Sequence, residues 1–282
     1  MTLRITPLSG ALGAEVSGLD WTRPIDDATR AAVTGAFLEA HLLCLRAAPL
    51  TPAEFVRVAR YFGEPQLQLL REYRDTHVPE VSVLDSSYKT PESKPADLSR
   101  LRLTGWHTDD SYFAVPAKAT MLQALALPES GGETCFCNLQ TAYADLSEEL
   151  KARVDGLRAV HSYDTLRTPA RAQQRSTVEK QETPDVVHPL IRTHDETGHK
   201  AIYLNANRTD RIAGLERQES DALLDRLHAH MTQARYRYDH AWRVGDILVW
   251  DNRCLVHSVN MDFAVGQSRR HQRILLKGSV PV

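Results

Sequence analysis

The chain has few cysteines, no long apolar run and no excess charge of either sign. Its four cysteines, Cys44, Cys135, Cys137 and Cys254, are scattered over 282 residues, too sparse for a disulfide framework at this length. Cys135 and Cys137 would share one face of a strand, where reduced buried thiols are the expectation and a metal role the alternative. No apolar stretch approaches the roughly 20 residues that span a bilayer. The opening MTLRITPLSG lacks the apolar core and cleavage site of a signal peptide. With 34 basic and 36 acidic residues the net charge is −2, so nothing attracts nucleic acid or an anionic membrane surface. These absences predict a soluble cytoplasmic protein.

What is present is ample apolar content, 42%, enough for one large domain over residues 1–282. Repeats and low-complexity segments are missing. Leu3–Pro7 alternates like an edge strand, Asp26–Ala40 reads as a helix with acidic residues at its start, and His41–Arg46 reads as a buried strand. Thr51-Pro52-Ala53-Glu54 is a helix start, with Phe55, Val58, Ala59 and Phe62 facing inward and Gly63 closing it. From Lys118 onward strands alternate with short helices: strands at 119–126, 134–138, 157–162, 187–193, 201–205, 235–242, 246–250 and 270–277, and helices at 139–146, 147–154 and 219–232. His228 and His230, two apart on that last helix, point in different directions and make a poor metal pair. The pattern predicts a mostly β fold with flanking helices, a barrel or jelly roll. Between 66 and 105 only Val81–Leu84 looks like a strand. The stretch from Tyr88 to Leu103 is rich in Pro, Ser and Lys and ends beside Trp106-His107, so residues 66–105 are expected to form a mobile lid.

The chemistry sits in His107-Thr108-Asp109 and the distant His257. Two imidazoles and a carboxylate are the set that holds non-haem Fe(II) on one face and leaves positions open. In an extended segment, residues two apart project to the same side, so one strand end supplies His107 and Asp109 while another brings His257. A second constellation is cationic. In Arg269-Arg270-His271-Gln272-Arg273, even spacing places Arg269, His271 and Arg273 on one strand face, which Leu275 continues and which therefore looks inward. A buried guanidinium requires an anion and fits a carboxylate with its two-pronged fork. A structural salt bridge is the alternative. Thr134, after the turn Gly131-Gly132, offers a hydroxyl to such a carboxylate.

As an ordered set, the opening Ile5-Thr6-Pro7-Leu8 with Gly13-Ala14 and Gly18, Phe62-Gly63, WHTDDSYF, PESGGETCFCNLQTAYADL, HPLIRTH with Thr197-Gly198, WDNRCLVH and the terminal arginines resemble the TauD/TfdA family of Fe(II)- and 2-oxoglutarate-dependent dioxygenases over nearly the whole chain. The resemblance implies a double-stranded β-helix, a cupin-like jelly roll. It implies a catalytic iron held by His107, Asp109 and His257, and 2-oxoglutarate held through its distal carboxylate by Thr134 and Arg269. Arg273 would lie near the other carboxylate or the substrate's anionic group. The gap from His257 to these arginines is one residue longer than in the best-known members, so Arg270 is the alternative cosubstrate ligand; the inward face favours Arg269 and Arg273. The implied reaction uses O2, converts 2-oxoglutarate to succinate and CO2, and oxidises a substrate C–H bond, with hydroxylation, desaturation or cleavage as outcomes. The carboxylate at Asp109 argues against halogenation.

Gln66-Leu67-Gln68 stand where taurine dioxygenase has a sulfonate-binding histidine, so taurine is not expected. Arg71, Tyr112, Tyr163 and Arg208 fall where relatives line the substrate pocket, predicting a small anionic substrate, aryl-substituted or an amino acid derivative. Relatives imply a homo-oligomer, dimer or tetramer. The competing readings are a zinc-dependent hydrolase on the same ligands and a non-catalytic jelly-roll binding protein.

Overall fold

The computed structural model describes residues 2–94, 105–167 and 175–282. The strands β1 (Arg4–Pro7) and β2 (Ala14–Ser17) pair antiparallel, and β1 is exposed along its length as the end strand of the main sheet. Helix α1 (Asp27–Ala40) starts where the Asp26 side chain accepts the N–H of Thr29. It stops at His41, whose left-handed backbone (φ 62°) lets its N–H reach the carbonyl of Phe37. The apolar run that follows is β3 (Leu42–Leu45), and α2 (Pro52–Ala59) has both halves of the capping box between Thr51 and Glu54. Phe55, Val58, Ala59 and Phe62 are buried.

The remaining strands are β4 (Pro65–Gln66), β5 (Ser82–Asp85), β6 (Ala119–Ala126), β7 (Thr134–Asn138), β8 (Arg158–His161), β9 (Val186–Pro189), β10 (Ile191–Thr193), β11 (Lys200–Ile202), β12 (Thr209–Ile212), β13 (Arg237–His240), β14 (Ile247–Asp251), β15 (Leu255–Val259) and β16 (Arg270–Leu276). Between them lie α3 (Leu139–Ala144), α4 (Glu148–Val154), α5 (Thr177–Gln181) and α6 (Arg217–Met231). No described helix is long and apolar enough to cross a membrane.

The main sheet runs β1-β2-β3-β14-β6-β16-β4, with β5 also on β16; a second sheet is β13-β7-β15. They face each other without closing into a barrel, and helices cover the outer face of the larger one. Both faces of the main sheet are therefore buried, and alternation sorts its side chains. Leu43 and Leu45 of β3, Ile247 and Val249 of β14, and Ile274 and Leu276 of β16 pack outward against Phe37, Phe55 and Val58 of α1 and α2. Leu42, Cys44, Leu122, Leu248 and Trp250 point inward to Phe136, Leu255 and Val256 of the smaller sheet. Double burial is why β14 reads as a continuous apolar run rather than an alternating one.

Three expected elements differ. The strand expected at 187–193 is two strands. At Leu190 the chain changes partner: its N–H goes to Leu157 while its carbonyl accepts from Tyr203, moving the pairing from β8 to β11. The strand expected at 235–242 opens as a 3-10 turn over Ala234–Tyr236, and that at 201–205 ends at Ile202. The strands β2, β4 and β12 were not legible; β15 is the strand expected to bring His257, but its bounds were not readable because it is buried at four of its five positions, which erases its period. In the expected lid, β5 is an integral strand on β16; residues 95–104 lie outside the described residues.

Candidate active site

His107 and His257 form an isolated antiparallel bridge, exchanging both backbone hydrogen bonds (2.9 and 2.7 Å). That register sets the two imidazoles side by side, with ring centroids 4.1 Å apart. Asp109 turns its carboxylate to the same point, 3.9 Å from Nε2 of His107 and 4.0 Å from Nε2 of His257. One ligand atom from each of the three lies within 4.8 Å of the others.

The surroundings fix the orientation or charge of each group. Nδ1 of His107 lies 2.6 Å from the Gly105 carbonyl, so Nδ1 carries a hydrogen and Nε2 is the nitrogen turned to the triad. Burial, with His107 beside it, pushes His257 down to about 3, and it is neutral at physiological pH. Asp109 is buried, which opposes ionisation, but His257, Arg273, His107 and the Thr120 hydroxyl outweigh this and hold it at about 2. The Thr120 hydroxyl donates to Asp109 Oδ2 at 2.6 Å, Asn252 Nδ2 donates to Thr120 Oγ1 at 2.9 Å, and Trp250 Nε1 donates to Asn252 Oδ1 at 3.0 Å. This chain of bonds fixes the carboxylate from below. Thr120 had no sequence signal; Asn252 lay in the WDNR run without a role.

Among the described residues, two other buried groups have metal-like composition, Cys44/His240/Asp246 and His194/Asp251/Cys254. In both, an arginine already occupies the carboxylate: Arg46 on Asp246 and Arg253 on Asp251, each at 2.6 Å. The thiols of Cys135 and Cys137 are pushed up to about 12 by burial and stay protonated.

Two cavities meet at the triad. The inner one, about 290 Å³, runs from His107, Asp109 and His257 to Thr134 and Arg269, with His271 and Arg273 on its wall. Arg269 is buried, with Nε on the Gly132 carbonyl (3.0 Å), Nη1 on Ser86 Oγ (3.0 Å) and Nη2 on Thr134 Oγ1 (3.2 Å). It makes no ion pair among the described residues, and burial lowers its pKa to about 10. Arg270, the other candidate, is exposed at the sheet end. The face opposite Arg269, His271 and Arg273 is no surface: Gln272 is buried and donates to Gln123 Oε1 at 2.7 Å. Sequence reasoning missed Trp242, whose indole donates to Thr134 Oγ1 at 3.0 Å, and Ser86.

The outer cavity, about 270 Å³, shares His107, Asp109 and Arg273 with the inner one and adds Asp110, Tyr112, Tyr163 and Arg208. The Arg208 guanidinium lies 4.8 Å from the Tyr112 ring and 4.1 Å from the Tyr163 ring, and donates to the Tyr163 carbonyl. Burial and the adjacent Asp109 raise Asp110 to about 6. Arg71 does not join this group. It points outward, half exposed, and pairs with Glu182 at 2.8 Å and Glu179 at 3.7 Å; with two carboxylates of α5 and its C-cap within reach, it is drawn to the surface. The segment expected as a lid does wall the site: Tyr73 and Ser86 line the inner cavity, Gln68 and Leu70 the outer.

The model of the "Taurine catabolism dioxygenase TauD, TfdA family" matches residues 4–275. An alpha-ketoglutarate-dependent 2,4-dichlorophenoxyacetate dioxygenase of Burkholderia sp. (strain RASC) is 34% identical over 77% of this chain and 75% of its own length. An (S)-phenoxypropionate/alpha-ketoglutarate-dioxygenase of Sphingobium herbicidovorans is 33% identical over 96% of this chain and 94% of its own. The crystal structure of a taurine dioxygenase from Burkholderia xenovorans superposes with a TM-score of 0.84 at 33% identity, covering 99% of this chain and 91% of the other.

Proposed function

The chain belongs to the TauD/TfdA family and is a 2-oxoglutarate (alpha-ketoglutarate)-dependent dioxygenase, and from that premise we propose that it oxidises a small anionic organic molecule at an Fe(II) held by His107, Asp109 and His257. Succinate and CO2 are the coproducts. The observation that carries the reading is the union of two features in one cavity: three convergent donors at one end, and the buried Arg269, without an ion pair among the described residues, with Thr134 at the other.

The donor set fits a divalent metal. The His107 imidazole, the neutral His257 imidazole and an ionised carboxylate lie on one side, with cavity on the other. Iron with 2-oxoglutarate supplies dioxygen activation and C–H oxidation. The chain's residues do the rest. Arg269 and Thr134 clamp the distal carboxylate, an interaction that gives the buried guanidinium its missing anion. Arg273, on the wall between the cavities, orients the acid group of the substrate. Trp250 and Phe136 pack on the His257 ring, at 4.7 and 6.1 Å, and exclude water from its far side. A zinc hydrolase on the same ligands leaves Arg269 and its slot without a role.

The test is succinate release across a panel of small carboxylates, sulfonates and sulfate esters with Fe(II) and air. Turnover that requires iron, oxygen and a prime substrate, and that is lost in His107→Ala, is expected; normal turnover in His107→Ala would remove the assignment.

A further inference from the structure

Of the two carboxylates lining the outer cavity, Asp109 belongs to the triad and Asp110 does not. Asp110 adopts the left-handed region (φ 58°), which costs free energy at a non-glycine residue and persists where something favours it. Gln66 Nε2 donates to its Oδ2 at 2.8 Å and Tyr112 Oη to its Oδ1 at 3.0 Å. Each oxygen keeps a lone pair, since a carboxylate has about four acceptor positions. Among the described residues Asp110 makes no ion pair, although the same cavity carries the guanidiniums of Arg208 and Arg273. Both act on Asp110 only at a distance, and Arg208 is held by the Tyr112 and Tyr163 rings and by the Tyr163 carbonyl. The cavity therefore offers positive groups, an aromatic wall and a carboxylate with no cation in direct contact among the described residues.

We propose that the substrate carries an ammonium group as well as its acid group, and that Asp110 is the specificity-determining residue that receives the ammonium. A purely anionic substrate would set its charge in the same small space as Asp110, where like charges cost several kcal/mol. A zwitterion of the amino acid type resolves both ends, with its acid on Arg273 or Arg208 and its ammonium on Asp110. This inference rests on the outer cavity being the substrate side of the proposed oxygenase.

The probes are matched pairs: phenylalanine with 3-phenylpropanoate, and leucine with 4-methylpentanoate. Binding is measured by calorimetry on the protein loaded with Fe(II) and 2-oxoglutarate under anaerobic conditions, and succinate release is read in air. In the wild type, the amine-bearing member of at least one pair should bind roughly 30-fold tighter or more, the effect of an intact against a truncated buried charge pair. Asp110→Asn keeps a residue that tolerates the left-handed backbone and should bring that ratio close to one by weakening only the amine-bearing ligand; a structural role would weaken both members alike. Amine-bearing probes that bind no better than their partners, or not at all, overturn the inference. Succinate release without an amine preference leaves the oxygenase standing and removes the role of Asp110. An amine preference without succinate in air removes the oxygenase and leaves the ligand class.

Discussion

Replacing Arg269 with methionine should leave the ligand-free protein about as stable as before and abolish its response to 2-oxoglutarate. A guanidinium lowered from its ordinary 12.5 to about 10 by burial carries roughly 3 kcal/mol of unfavourable desolvation in the folded state. Against this stand its three hydrogen bonds, to Gly132, Ser86 and Thr134, worth about 1 kcal/mol each net. The two contributions nearly cancel, and methionine fills the space without a charge. The ligand-bound protein is different. Saturating a site at about 100 times the dissociation constant adds roughly 2.7 kcal/mol to the native state, which at this chain length is a rise of about 5–10 °C in Tm. Without the guanidinium, binding loses roughly 2–5 kcal/mol, and that rise disappears.

Differential scanning fluorimetry reads both effects, with Mn(II) in place of iron so that no turnover occurs. Two results would refute the reasoning. A methionine variant that keeps the 2-oxoglutarate shift would show that another group receives the distal carboxylate, with the exposed Arg270 as the obvious candidate. A ligand-free variant destabilised by more than about 3 kcal/mol would show that Arg269 has a structural anion, leaving the slot without its purpose.

Thr120→Val removes the 2.6 Å bond to Asp109 at nearly constant volume and should weaken divalent-metal binding roughly 10- to 100-fold, read by competition with a chelating dye; unchanged affinity would separate this bond chain from the metal. Arg71→Ala should leave the Michaelis constant unchanged and Tm little changed, because its short ion pair, with Glu182, lies at the surface and its contact with the buried Glu179 is long, 3.7 Å; a clear rise in the Michaelis constant would return Arg71 to the substrate cavity. Acid should destabilise the metal-free protein. His161 and His257 are lowered to about 3 and His271 to about 2, burial being the first cause in each. The unfolded chain takes up protons at these sites near pH 6.5 while the folded chain does not, so stability is lost as pH falls through that window. From pH 6.5 to 5.5 the loss is about 1 kcal/mol per imidazole, roughly 3 kcal/mol together, measurable by urea unfolding; a flat profile would contradict the buried neutral state.

The parts of the fold that were legible in the sequence share one property: their signal is local. Thr51-Pro52-Ala53-Glu54 announces α2 because a cap and its reciprocal partner lie three residues apart. Asp26 and the strands at β6, β7 and β16 are readable for similar reasons. What was not readable depends on distant partners. β15 carries His257 yet has no period, since Phe136 and Trp250 bury it from one side while its neighbours are buried as well. Thr120 becomes a partner of Asp109 only because β6 and β14 are in register, with Trp250 opposite Thr120. Arg71 shows the reverse failure: an alignment position close to a pocket does not decide whether the side chain turns inward, and Glu179 and Glu182, more than 100 residues away in sequence, decide it.

The choice between Arg269 and Arg270 turns on what fixes β16. A one-residue slip in a strand moves every side chain to the other face. In β16 such a slip would bring Ile274 into the cavity and bury the Arg273 guanidinium against Phe55 and Val58, leaving a charge without an anion. Gln272, bonded to Gln123 and to the Leu50 carbonyl, would lose both partners. Core packing on one face therefore sets the register that aims the arginines on the other. The one pairing irregularity with β6 falls at Arg270–His271, outside the stretch fixed by Gln272, Ile274 and Leu276. The 260–268 connection that leads into Arg269 is itself tied down, with Asn260 on Glu133 and Tyr88 stacked on Phe263. Arg269 stays over Thr134 because the strand beyond it cannot shift without unpacking α2.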